Sequence, residues 1–453
     1  MSAPPTSLSR FCAQVIGLVL IPVMLPLAPL SSSLSCAAPP SSQRGGDGDA
    51  RTRRAGGPAL SVLEALGGGA GEEDQGFERA TRPRELSFPA DHGPHPGFRS
   101  EWWYWTGNLD GPARRRFGYQ LTIFRMALAP PPSAVRPGAW ATSQVYMAHL
   151  ALTDVAGQRR GARFLAAEQT ARAAVGLAGA TAAPFAAWVL GWRAAGPGAD
   201  TNATRATTDG TTTTTPGLTP LALTAISDVP GAPRFGVDLT LLAGKPLVLE
   251  GDRGLSRKGR AEGNASYYDS LTRMPTQGTV TIADQTFPVA GTSWMDREWS
   301  TSALEPGQVG WDWFALQLDD GRDLMFFRLR QHARSAGEDT LDPASSGTLV
   351  DLDGSAHHLA HDDVRVTATG SWSSPRSGTR YPAAFHLELP HARLSLDVTP
   401  VVPDQELDLS FRYWEGAVDV TGTDTGKPIG GRGYLELTGY GEIAPAGSPQ
   451  SPR

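Results

Sequence analysis

The chain has 453 residues, of which 19% are charged and 40% hydrophobic, and its formal net charge is −6. That length accommodates two or three domains of ordinary size, and the composition is that of a mostly folded protein. The acidic balance, with basic residues only in short isolated groups such as Arg51 to Arg54 and Arg114 to Arg116, excludes nucleic acid as a partner.

Residues 1–36 read as an export signal. Arg10 supplies a positive charge, Phe11 to Leu30 is apolar and uncharged, and the small residues Ser31 to Ser33 follow as a cleavage region would. Pro22, Pro26 and Pro29 argue against a membrane-spanning helix, because each removes a backbone donor. The only two cysteines, Cys12 and Cys36, lie here, so the folded part holds neither a disulfide nor a thiol nucleophile. Cys36 stands where a lipoprotein is cleaved and acylated, although Ser33-Leu34-Ser35-Cys36 departs from the Leu-Ala-Gly-Cys pattern. The expectation is an exported protein of the periplasm or cell envelope, either free of the membrane or held to it by a lipid at Cys36. Residues 37–85, rich in Gly, Ala, Pro, Ser and Arg, read as a disordered linker.

Strand signals begin at Leu86. Phe117, Tyr119, Leu121 and Ile123 alternate with smaller or polar residues, whereas Val145 to Leu152 is apolar on both faces. Phe235 to Leu241 is a further strand, and Val280 and Ile282 lead into a turn at Asp284-Gln285. Only Gly161 to Ala174 and Pro184 to Ala195 are Ala-rich enough to compete as helices. Thr201 to Thr215 is a low-complexity, solvent-exposed insertion. After Ser300 the pattern repeats: Trp311 to Leu318, a turn at Asp319-Asp320-Gly321, Leu324 to Leu329, a hairpin at Asp353-Gly354, then Val364 to Ala368, Phe385 to Leu389, Leu394 to Val398, Leu407 to Val420 and Gly433 to Thr438. Regular short strands between turns predict an all-β chain of two tandem antiparallel barrels or sandwiches, residues 86–300 and 301–445, with a disordered tail at 446–453.

Two aromatic stretches carry the candidate chemistry. Ser100-Glu101-Trp102-Trp103-Tyr104-Trp105-Thr106-Gly107 is one; Trp294-Met295-Asp296-Arg297-Glu298-Trp299, followed by Trp311-Asp312-Trp313, is the other. Together they hold seven of the twelve tryptophans. In a strand, Glu101, Trp103 and Trp105 share one face, and Trp294, Asp296 and Glu298 share another, the two carboxylates about 6–7 Å apart. Carboxylates beside indoles are what an apolar pocket with one or two charged groups looks like in sequence. Asp296 and Glu298 can share a proton as general acid and base, or pair with cations at a domain seam. Glu415 continues the apolar stripe Leu407, Leu409, Phe411 and Tyr413; it is a protonated acid there, or a partner of Arg412 or Arg328. Glu101 has the same two readings. His149, on the doubly apolar strand, reads as a core histidine or as part of a site. His92 and His95 fall in a Pro-rich turn, and His357, His358 and His361 in a late loop, without the spacing of a zinc site. No metal and no cofactor is called for. The nucleophile elbow, Walker loop, dinucleotide fingerprint and His-Glu-x-x-His motif are all absent.

Phe88-Pro89-Ala90-Asp91-His92-Gly93-Pro94-His95 and Glu101 to Leu109 resemble the opening of the AttH-like proteins, relatives of carotenoid 1,2-hydratase. Ala148 to Asp154, Ser293 to Ser300, Tyr413 to Ala417 and Gly433 to Tyr440 resemble further blocks of that family. The resemblance, over Leu86 to Glu442, implies two lipocalin-like barrels in an exported protein, sometimes associated with an ABC transporter of the Att type. Where the carotenoid hydratases resemble Tyr-His-Asp-His-Asn-Trp, this chain has Met295 and Arg297 in the histidine places; where they have a Phe-Asp pair, it has Phe327-Arg328. A proton donor would then be Asp296, Glu298 or Glu415. Two functions follow. One is a binder of an apolar, lipid- or isoprenoid-like ligand, held by Glu101, Trp103, Trp105, His149, Trp294, Trp299, Trp311, Trp313 and Tyr413. The other is a hydro-lyase or hydrolase using the three carboxyls, the indoles steadying a cation. A purely structural or transporter-associated domain is the plainest alternative.

Overall fold

The computed structural model describes residues 74–131, 138–155, 163–199, 215, 217–302, 304–305, 307–331 and 340–441. The leader, Cys12, Cys36, most of the linker and nearly all of the Thr-rich run lie outside the described residues, as does the tail.

The first sheet is built from Ser100–Asp110 (β1), Arg116–Ala127 (β2), Gln144–Asp154 (β3), Arg163–Arg172 (β4), Ala178–Ala182 (β5), Phe185–Val189 (β6), Trp192–Ala195 (β7), Leu221–Ser227 (β8), Phe235–Leu241 (β9), Val248–Leu249 (β10), Leu255–Arg257 (β11), Ala265–Ile282 (β12) and Gln285–Ser300 (β13). The second comprises Gln308–Leu318 (β14), Asp323–Gln331 (β15), Thr340–Leu341 (β16), Ser346–Val350 (β17), Ala356–Leu359 (β18), Arg365–Ser373 (β19), Arg380–Leu389 (β20), Leu394–Pro400 (β21), Glu406–Asp408 (β22), Arg412–Asp424 (β23) and Lys427–Leu437 (β24). The all-β, two-sheet expectation holds. The first sheet runs β4-β3-β2-β1-β13-β12-β9-β8-β7-β6-β5, with β10 and β11 also on β12; the second runs β18-β17-β15-β14-β24-β23-β21-β20-β19. The two Ala-rich segments that compete as helices are strands β4, β6 and β7. Alanine's helical preference is worth only fractions of a kcal/mol, and a neighbouring strand's ladder outweighs it. The stripe from Leu407 to Glu415 is not one strand: the chain turns after Asp408, and Leu407 pairs with Tyr413 across the β22–β23 hairpin.

Burial follows the pleat. In β8 the buried positions are Leu221, Leu223, Ala225 and Ser227, and the residues between them are only partly covered. Strands β1, β2 and β3 are buried on both faces. Their inward residues, including Trp103, Trp105, Leu121, Ile123 and Leu150, fill the first barrel. Their outward residues meet the second sheet. Tyr104, Tyr268 and Trp294 pack with Trp313, Phe327 and Leu329, and Phe124 and Met147 pack with Leu407, Phe411 and Tyr413. This seam explains why the run around Val145 to Leu152 reads as apolar throughout. At the start of β14 a register shift lies between Gln308 and Gly310. Gly310 has φ 153°, and a Cβ there would lie 2.3 Å from the carbonyl oxygen of Thr438. Only glycine fits that bulge, immediately before Trp311 and Trp313.

Candidate functional site

The site begins as a row of side chains across the outer face of the first sheet. The ladder places Ser270 opposite Asp296, Asp296 opposite Tyr104, Tyr104 opposite Thr122, Thr122 opposite His149, and His149 opposite Glu168. Cross-strand neighbours on one face lie about 5 Å apart, so six strands align one continuous polar line. The next row places Tyr268, Glu298, Trp102 and Phe124 beside it. From the second sheet, Trp311 and Trp313 of β14, Phe327 of β15, Tyr413 and Glu415 of β23 and Glu436 of β24 close over these rows. Together with all of these row residues except Ser270, His149 and Glu168, they line a partly open cavity of about 90 Å³, room for roughly half a dozen waters or a short branched hydrocarbon segment.

Hydrogen bonds hold its acids in place. Asp296 Oδ1 accepts from Ser270 Oγ at 2.7 Å and from Trp294 Nε1 at 2.6 Å, and Oδ2 accepts from the Tyr268 hydroxyl at 2.5 Å. Trp313 Nε1 donates in turn to the Tyr268 oxygen at 3.1 Å. Burial pushes the Asp296 carboxyl up to about 7, against the pull of those three neutral donors, and the nearby Glu298 adds to the rise. Tyr104 donates to Glu415 Oε1 at 2.5 Å, while Glu415 Oε2 is buried without a partner. Glu436, opposite Glu415 on the neighbouring strand, accepts from Trp311 Nε1 at 3.1 Å. Burial first, and the adjacent Glu436 second, hold Glu415 well above the ordinary carboxylate range. This pair therefore keeps a proton at neutral pH. Glu298 is different: its carboxylate pairs with Lys258 at 3.1 Å, and the Lys258 ammonium sits 3.8 Å from the centre of the Phe327 ring. The arginines that could have neutralised Glu415 are engaged elsewhere. Arg412 holds Asp408 and Arg328 holds Asp312. A proton-bearing carboxyl among indole and phenol rings can protonate an apolar double bond, and those π faces can face the resulting cation.

The AttH-like family model matches residues 79–440. The chain belongs to the AttH-like family. An AttH protein from Nitrosomonas europaea has 30% sequence identity, with 81% of this chain and 100% of that one covered and a TM-score of 0.63. Kievitone hydratase from Nectria haematococca shares the fold at 14% identity, with coverages of 80% and 98% and a TM-score of 0.54. None of the curated proteins compared with the chain matches it.

In this AttH-like chain the candidates separate by face. Asp296, Glu298, Glu415, Trp311, Trp313 and Tyr413 line the seam cavity. Trp294 stands just behind them, edge-on to Trp313 with ring centres 6.3 Å apart, and His149 bonds to the Tyr413 hydroxyl. Glu101, Trp103, Trp105 and Trp299 lie away from it, because the pleat turns them to the opposite face. Trp103 and Trp105 fill the first barrel. Glu101 is fully buried between Arg125 and Arg297 and takes the His95 backbone N–H at 3.0 Å, so the ion-pair reading of this residue is what the structure shows. Arg297 lies over the Trp103 and Trp299 rings, at 4.1 and 4.9 Å from their centres, and His95 stacks on Trp299 at 3.9 Å. That cluster is a structural brace. Among the described residues no group of three or more His, Cys, Asp or Glu could hold a metal ion. Lys258, Tyr104, Tyr268, Thr122 and Glu436 are wall residues that sequence reading missed as site residues. Tyr104 and Glu436 do sit inside family-like blocks, whereas Lys258 lies in a loop without any signal.

Proposed function

We propose that the seam cavity takes an apolar, isoprenoid- or lipid-like ligand bearing a double bond or a tertiary hydroxyl, and that its carboxyls exchange a proton with it as a hydro-lyase does. The observation that carries this reading is Glu415. It is a buried acid in a cavity wall, bonded to a tyrosine and to no cation, beside a second carboxyl that keeps the pair protonated. Glu101, by contrast, is paired with two arginines. The fold shared with a protein named kievitone hydratase agrees with the reading. The test is incubation of the purified chain with isoprenoid alkenes in D2O, with mass spectrometry for deuterated alcohol. Glu415→Gln should cut the rate by about a hundredfold or more while leaving ligand retention intact. An unchanged rate removes Glu415 from the chemistry.

Retention without turnover is the second reading, favoured by Met295 and Arg297 standing in the histidine places of the hydratase pattern. Solvent extraction of the purified protein should then release an apolar compound that quenches tryptophan fluorescence when added back. The leader reading places either activity outside the cytoplasm, which cell fractionation checks.

A further inference from the structure

A second proton-handling group enters the cavity from the side opposite Asp296. Tyr413, on the second sheet, points its hydroxyl at His149 on the first, 2.9 Å from Nδ1. His149 Nε2 lies 3.2 Å from Glu168 Oε2. Glu168 is in turn fixed by the backbone N–H of Ser410 at 3.0 Å, the Ser410 hydroxyl at 2.6 Å and the Thr170 hydroxyl at 3.3 Å. The three groups grade from wet to dry: the Glu168 side chain is 20% exposed, His149 is fully buried, and Tyr413 lines the cavity. A carboxylate can only accept, so Nε2 carries the imidazole proton and Nδ1 accepts from Tyr413. Burial lowers the His149 pKa, with Glu168 pulling the other way, so the ring is neutral before reaction. Burial would raise Glu168, but the bonds from His149 and Ser410 win and bring it to about 2. Phe124, Phe411 and Tyr413 pack around the ring of His149, and the acids facing Tyr413 are Glu168, Glu415 and Glu436. A hydroxyl, an imidazole and a carboxylate in this order form the base arrangement that activates a nucleophile in hydrolases.

We propose that Glu168, His149 and Tyr413 form a proton relay between solvent and the cavity, with the Tyr413 hydroxyl as its inner end and the base of the hydration. This rests on the hydro-lyase reading. As a cavity acid protonates the alkene, water adds to the resulting carbon cation. The water O–H bond breaks, its oxygen forms the new C–O bond, and its proton passes to the Tyr413 oxygen. The Tyr413 proton moves to His149 Nδ1, leaving an imidazolium against the Glu168 carboxylate. The Nε2 proton then leaves by way of Glu168 to solvent, and the cycle closes when a solvent proton enters Nε2 from Glu168 as the Nδ1 proton passes back through the Tyr413 hydroxyl to the ionised cavity acid. Dehydration runs the same path backwards.

The relay is tested without a substrate by moving the full chain rapidly from H2O to D2O and following the infrared carbonyl band of its protonated carboxyls, assigned by its loss in Glu415→Gln. Tyr413→Phe, which removes one oxygen, and His149→Asn should each slow exchange of that band by about a hundredfold at unchanged band intensity. Glu168→Gln should slow it as well. Unchanged exchange in Tyr413→Phe and His149→Asn, both shown folded by circular dichroism, overturns the relay. Absence of the band from the wild type overturns the protonated-acid reading and the relay with it, so the two failures are distinct. With a turning-over alkene, Tyr413→Phe should lower kcat and leave KM in place; a purely structural bond would not give that split.

Discussion

Asp296→Asn tests whether this buried carboxyl carries a proton in the native state. An ordinary aspartic acid titrates at 3.8, and this one is held at about 7. The difference of roughly three pH units, at about 1.4 kcal/mol each, makes ionising Asp296 in the fold cost about 4 kcal/mol. The sign follows from where the proton sits. The native state binds it more tightly than the unfolded chain, so the contribution is complete below pH 3.8 and is lost as pH rises through 7. Asparagine has no charge to acquire. The wild type should therefore lose about 3 kcal/mol relative to Asp296→Asn between about pH 5 and about pH 9. A pH-independent offset works against the variant. Its amide nitrogen at the Oδ2 position cannot accept the Tyr268 hydroxyl, and one such bond is worth about 1 kcal/mol. Urea unfolding at both pH values and equal ionic strength, read by tryptophan fluorescence, measures the difference. An equal stability gap at the two pH values would show that Asp296 is not protonated in the fold, and the acid chemistry assigned to it would fail.

Two further predictions concern the frame around the site. Glu101→Gln leaves Arg125 and Arg297 buried without their shared anion, and should cost about 3–5 kcal/mol in urea, with ligand retention by the surviving folded fraction unchanged. Gly118→Ala places a methyl group 2.7 Å from the Ala417 side chain and 2.8 Å from the Tyr434 hydroxyl across the seam. It should destabilise by about 1–3 kcal/mol, and a seam that tolerates it, with an unshifted unfolding midpoint, would contradict the tight packing between the sheets described above.

The fold class was legible because strand period and turn residues are local. The turn at Gly321 and the hairpin at Gly354, where φ is 91° and 88°, announce themselves as Asp-Gly pairs. Alternation also separated the two faces of the Trp strand. It did not say which face looks into the barrel and which onto the seam, since both are apolar. Hence the sequence pointed to Trp103 and Trp105 for the site and passed over Trp102 and Tyr104, which line it. The break after Asp408 escaped notice because Leu409 and Phe411 preserve the alternation through the turn; only the pairing of Leu407 with Tyr413 reveals it.

The site was harder to read for a reason that also accounts for its chemistry. Tyr104 meets Asp296 only through a register between strands some 190 residues apart, and Glu415 meets Tyr104 only through the packing of one sheet on the other. Neither adjacency leaves a trace in local spacing. A seam between two sheets is the one place in such a fold where polar groups from both can be buried without breaking either barrel's core. There Asp296 and Glu415 lose water and gain neutral donors in place of cations, which keeps their protons on, whereas Glu298 pairs with Lys258. A carboxylate inside the first barrel, as at Glu101, had to recruit two arginines instead. The contrast between Glu101 and Glu415, two fully buried glutamates of one chain with opposite partners, is what the proposed acid chemistry rests on.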